Sequence, residues 1–216
     1  MNHGRRLFVS AATMILTVPI ALAAWAAPTP TEQVRGAIQR VLRIIDDPEL
    51  RGEMRQADRR TAIRKVAHEL FDYAEITKRS IGHHWQQRTA AEREELVTLF
   101  GDLLERTYVS RIEVYSGEKI AYVGESVETD QAVVRTRIVT RQGTEIPVEY
   151  RMHLRDGKWL VYDVVIEGVS LIANYRAQFN KIIRATSFDE LMTRLEAKTH
   201  PEAQASTADP SKPNAP

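Results

Sequence analysis

No cysteine occurs anywhere in the 216 residues, which excludes disulfides, thiol nucleophiles, Cys-ligated zinc, iron–sulfur clusters and a lipidated lipobox cysteine. An excess of either charge is missing too: 30 basic residues face 29 acidic ones, without the basic surplus that marks most nucleic-acid binders, so no nucleic-acid partner is expected. The usual catalytic signatures are also absent. There is no Gly-x-Ser-x-Gly, no Gly-x4-Gly-Lys and no dinucleotide fingerprint, so acyl transfer, phosphoryl transfer and cofactor chemistry lack their ordinary signs. No His-x3-His, Asp-x-Asp or carboxylate cluster completes a metal site around His83-His84, whose adjacent side chains diverge on helix or strand alike. Neither a metal nor a cofactor is expected.

What is present is an ordinary globular balance, 43% hydrophobic and 27% charged, behind an unusual start. Arg5 and Arg6 precede an uncharged stretch, residues 7–26, that closes on Ala24-Trp25-Ala26. This is a secretory signal pattern over residues 1–26, with cleavage before Ala27 and Ala21-Leu22-Ala23 as a second possible site. Twenty uncharged residues would also suffice for an uncleaved anchor, but Pro19 and the alanine-rich end favour cleavage. Removing Arg5 and Arg6 leaves 28 basic against 29 acidic residues, a formal charge of −1.

Thr29-Pro30-Thr31-Glu32 and Thr89-Ala90-Ala91-Glu92 are capping boxes, and each opens a helix. Val34, Ile38, Val41, Leu42 and Ile45 form the apolar stripe of the first, which Asp46-Asp47-Pro48 ends. Ile63, Val66, Leu70 and Phe71 mark another helix face, and Leu96 through Tyr108 mark the helix behind Thr89. From Lys119 the period becomes two: Val134, Thr136 and Ile138, then Ile146, Val148, Tyr150, Met152 and Leu154, alternate with polar residues. Gln142-Gly143 and Asp156-Gly157 supply turns between strands. Ser170 and Ser187 then cap two closing helices. The expected fold class is α+β: a curved antiparallel sheet with helices packed on one face, enclosing an apolar cavity. One domain is expected over residues 27–199, with residues 200–216 a disordered tail because their composition cannot bury enough surface to offset ordering.

Asp163 interrupts the apolar strand Trp159 to Ile166, and simple alternation places it on the face of Trp159, Val161 and Val165. A carboxylate there needs a partner. Either it is a general base in a cavity near Tyr150, as in cone-shaped isomerases, or it pairs with an arginine such as Arg137 or Arg151. Arg135, Arg137, Arg141, Arg151 and Arg155 pose a similar choice between a positive docking strip and a solvated face balanced by Glu145 and Glu149.

Two composite blocks of residues add a family resemblance. Phe71-Asp72-Tyr73-Ala74-Glu75-Ile76, Gly82, Trp85, Leu99-Phe100 and Leu104-Glu105-Arg106-Thr107-Tyr108 form the first. Lys158 to Leu171 with Tyr175-Arg176 and Phe179 forms the second. Together they resemble the MlaC family, also called toluene-tolerance auxiliary proteins, over nearly all of residues 31–198. The resemblance implies a non-catalytic periplasmic carrier whose cargo is a phospholipid. Its partners would be an inner-membrane ABC transporter complex with a substrate-binding subunit and an outer-membrane lipoprotein complex, and its role the maintenance of outer-membrane lipid asymmetry. A hopanoid or related terpenoid cargo is the alternative. Candidate lipid-lining residues are Trp85, Tyr108, Val134, Ile138, Val148, Tyr150, Trp159, Val161, Leu171, Tyr175 and Phe179. Glu167, Gly168 and Val169, where the last long strand hands over to a helix, are candidates for partner docking.

Overall fold

The computed structural model describes residues 28–115 and 117–199; the expected signal segment 1–26 and tail 200–216 lie outside them. Both capping boxes form. The Thr29 hydroxyl accepts from the Glu32 amide at 3.2 Å while the Glu32 carboxylate accepts from the Thr29 amide at 2.8 Å, which starts helix α1 (Pro30–Asp46). Thr89 and Glu92 repeat the arrangement ahead of α4 (Ala90–Glu113). This satisfies amides that the first helical turn otherwise leaves without partners. Between them lie α2 (Gln56–Leu70), α3 (Tyr73–Ile81) and a 3-10 turn at Gly82–Gln87.

Phe71 departs from its expected helical place. It is extended, forms an isolated parallel bridge with Val161, and leaves the Asp72 amide donating to the Val161 carbonyl at 2.9 Å. Asp72 then caps α3 by accepting from the Glu75 amide. A break here turns the chain off α2 and fastens it to the sheet.

That sheet is an antiparallel meander in sequence order: β1 (Lys119–Glu128), β2 (Gln131–Val139), β3 (Glu145–Arg155), β4 (Lys158–Ile166) and the short β5 (Val169–Ser170). Helices α5 (Leu171–Ala185) and α6 (Phe188–Thr199) follow, opened by the Ser170 and Ser187 hydroxyls as expected. Asp156-Gly157 and Glu167-Gly168 both hold two successive residues at positive φ, the geometry of tight two-residue hairpins.

Two bulges reorganise the faces. Register skips Val123 in β1 and Tyr162 in β4, so Met152 pairs with Val161 but its neighbour Arg151 pairs with Asp163. Because paired residues share a face and adjacent residues on β3 oppose each other, Asp163 lies on the opposite face from Val161. The expectation that it shares a face with Trp159 and Val161 is corrected by this bulge, a feature that alternation cannot register.

Two apolar cores result. The inner sheet face, through Ala132, Val134, Met152, Trp159 and Val161, packs on Val34 and Ala37 of α1 and Val66 and Leu70 of α2. A second core joins α3 to α6 around Ile81, Leu96, Phe100, Phe179 and Leu191, with the Phe100 ring edge-on to Tyr175 and Phe179 at 4.8 and 5.0 Å. Phe71 packs against both.

Candidate functional site

The candidate lipid-lining residues fall into two groups. Val134, Tyr150, Trp159 and Val161 belong to the sheet core, whereas Trp85, Tyr108, Leu171, Tyr175 and Phe179 belong to the helical core. Val148 is buried and Ile138 half-buried further along the inner sheet face, opposite Ile166 and Ile146 respectively.

Tyr150 is the informative member. It sits at the centre of the sheet, paired with Val134 on one side and Val164 on the other. Burial pushes its phenol pKa up to about 12, the nearby Tyr122 phenol adds to the rise, and a hydrogen bond with Thr136 opposes it. Protein therefore surrounds the ring, yet the side chain keeps accessible surface. Tyr150 is thus half-buried among apolar neighbours on the inner sheet face. Tyr122, Ile38, Val41 and Ile44 are likewise only partly buried around the same core, and burial raises the Tyr122 pKa while the Arg35 guanidinium stands 4.3 Å from its ring centre. Sequence reading identified Ile38 and Val41 only as a core stripe, and it missed Tyr122 and Ile44. The β1 bulge at Val123 breaks the alternation that signals which β1 residues face inward.

Two open concavities also occur, and neither includes any of the eleven candidates. One, about 500 Å³, lies where the cores meet, between Phe71, Tyr73 and Leu160 and the polar His68, Arg155 and Lys158. The other, about 390 Å³, is a charged groove between α1 and α2 lined by Arg40, Lys65 and Glu69.

The charged groups nearby are committed to structure. Asp163 Oδ2 accepts from the Ser170 hydroxyl at 2.7 Å and from Arg151 at 3.4 Å, and Oδ1 accepts from the Ile172 amide at 3.1 Å. The carboxylate fastens the start of α5 to β4, as the ion-pair expectation has it, and is not turned toward the inner face as a free base. Arg135 pairs with Glu149 at 3.5 Å, Arg137 with Glu145 at 3.1 Å and Arg155 with Asp72 at 2.9 Å. Of the two readings of these arginines, the face balanced by Glu145 and Glu149 is the one formed at Arg135 and Arg137. His83 and His84 have ring centres 3.9 Å apart, and among the described residues no group of three His, Cys, Asp or Glu is placed to hold a metal.

At the β4–β5 turn, the Glu167 amide donates to the Pro147 carbonyl at 3.0 Å. Just beyond it Val169 is 62% exposed and Ile166, its partner across the turn, 38% exposed. Val169 is no buried staple under α5. Among the described residues no helix is long and apolar enough to cross a membrane.

Comparison with known proteins completes the description. The family model for the MlaC protein matches residues 35–197. A protein of Haemophilus influenzae, the intermembrane phospholipid transport system binding protein MlaC, is 26% identical over 139 residues, which cover 61% of this chain and 65% of that relative, just under two thirds of its length. A solved structure of a phospholipid-binding protein from Ralstonia solanacearum, in complex with a phospholipid, superposes with a TM-score of 0.69 at 25% identity, covering 81% of this chain and 97% of the other.

Proposed function

The chain belongs to the MlaC protein family, and from that premise we propose that it is a soluble periplasmic phospholipid carrier. Acyl chains enter the space that Tyr150 faces, between the inner sheet face and its helical cover. The protein shuttles the lipid between an inner-membrane transporter complex and an outer-membrane lipoprotein complex, which sustains the asymmetry of the outer membrane. No step of this role requires a catalyst.

The physical demand explains the architecture. Each methylene exposed to water costs about 0.8 kcal/mol and two acyl chains carry roughly thirty of them, so a lipid crosses an aqueous compartment only inside an apolar shelter. The observation that carries the reading is Tyr150, half-buried at the middle of an apolar sheet face and packed against the sheet core. Partly buried Tyr122, Ile38, Val41 and Ile44 surround the same space. These side chains accommodate a guest by shifting, without a hydrogen-bonding headgroup cradle. The exposed Val169 and the rigid Glu167-Gly168 turn supply the contact to partner complexes.

The test is lipid extraction and native mass spectrometry of protein purified gently from the periplasm, followed by uptake of labelled phospholipid from vesicles. Diacyl phospholipid at one molecule per chain is expected. Protein that is reproducibly lipid-free and takes up no label overturns the carrier reading, and a co-purifying polycyclic terpenoid overturns the phospholipid assignment.

A further inference from the structure

Positive charge is handled in opposite ways on the sheet and on α5. Every sheet arginine described above has a carboxylate partner. On α5 none does. No acidic residue occurs from Gly168 to Phe188, and Arg176, Lys181 and Arg184, all exposed, form no ion pair among the described residues. At 100° per residue Lys181 and Arg184 fall across the helix from the buried Ile172 and Phe179, on the side of the exposed Ala173 and Ala177, and Arg176 stands at the edge of that face beside Ile172.

The neighbouring segment supplies no carboxylate to this face. The Arg176 guanidinium donates to the Arg79 carbonyl at 2.7 Å, beside Gly82, which sets the 3-10 turn against α5. Burial holds the His84 pKa below its ordinary value; the charges of His83, Arg184 and Arg88 push it the same way, and a hydrogen bond with Asn180 opposes them. Arg176 thus has a structural bond, whereas Lys181 and Arg184 are like charges that repel one another and cost stability. Their use therefore lies outside the chain.

We infer that the exposed face of α5 docks the protein onto an anionic lipid bilayer surface. This goes beyond the carrier reading, in which contact is made with protein complexes through Val169. A protein partner's hot spots are Trp, Tyr and Arg anchors fully desolvated at the centre of a packed interface, whereas this face offers exposed cations among alanines with no large apolar side chain beside them. Such a face suits a surface whose charges are mobile and need no fixed match, namely lipid headgroups, and each cation near an anionic bilayer strengthens the attraction. Because α5 starts one residue after Ser170, the cationic face continues from the exposed Val169 turn. A protein complex embedded in a membrane meets the turn while the lipid around it meets α5.

The experiment is co-sedimentation of the purified protein with vesicles of phosphatidylcholine alone and of phosphatidylcholine mixed equally with phosphatidylglycerol, both free of protein. Binding to the anionic vesicles alone is expected, and it should weaken as salt is added. Lys181→Gln combined with Arg184→Gln should reduce that binding about 30-fold. Neither side chain forms an ion pair or hydrogen bond among the described residues, so the melting temperature of the double variant stays at the wild-type value or rises. Wild-type protein that ignores anionic vesicles, binds both kinds equally, or binds as tightly after the double substitution overturns the inference. So does retention by an acidic protein without any vesicle binding. Cargo content, measured on the same preparations, reports on the carrier reading separately.

Discussion

Asp72 is buried, and burial alone would raise its pKa. The Glu75 amide, then Arg155 and His153, outweigh that effect and hold it below the usual carboxylate range. With the native pKa depressed, the bonds stabilise the fold fully above the unfolded value of about 3.9 and are lost as pH falls through the lower native value. Urea melts from pH 6 downward should show stability dropping as the pH passes below about 4, and Asp72→Asn should flatten that drop; an unchanged slope would show that Asp72 is not the group responsible. Asp163 makes a second such knot, between Ser170, Ile172 and Arg151. Asp163→Asn should cost about 2 kcal/mol through loss of charge-assisted bonds, while lipid uptake persists in whatever fraction is folded. Loss of uptake at full stability would give Asp163 a role in the site.

The turn between β4 and β5 has its own consequence. Two residues at positive φ make it stiff, and the apolar Val169 just past it stands in solvent. Val169→Glu should leave the melting temperature unchanged. On docking it would place an uncompensated carboxylate in a desolvated contact, costing about 2 to 5 kcal/mol, which is more than tenfold in affinity. Lipid transfer to membranes that contain the partner complexes should fall, and transfer to bare vesicles should not. A melting temperature lowered by many degrees would instead place Val169 in the core.

The assembled protein consists of two apolar cores that meet at Phe71, with Asp72 fastening α3 to Val161, His153 and Arg155. A guest that fills the space beside Tyr150 binds only the native state, so it must stabilise that state by mass action. At a thousandfold excess over Kd the gain is about 4 kcal/mol, which for a chain of this length amounts to a rise of about ten degrees in Tm. Delipidated protein should therefore melt lower than lipid-loaded protein, and its Tm should climb as phospholipid is added back. Identical melting with and without bound lipid would mean that the cargo does not occupy the native interior.

Much of this architecture was legible in local chemistry. Capping boxes at Thr29 and Thr89, the hairpin at Asp156-Gly157 and the period-two runs of β2 and β3 each act over a few residues, so they could be read without knowing what lies opposite. The blocks 71–76 and 158–171 carried the family for the same reason, since their order along the chain is itself the signal. Other features depend on what lies across a gap. The bulge at Tyr162 turned Asp163 away from Val161, and Phe71 left its helix to bridge Val161, because strand register is settled only when strands meet. Pairing sorted the cations as well: Arg135 and Arg137 found carboxylates on the neighbouring strand, while Lys181 and Arg184, three residues apart on an acid-free helix, found none among the described residues. A near-zero net charge conceals that segregation, since charge is summed along the chain but felt in space.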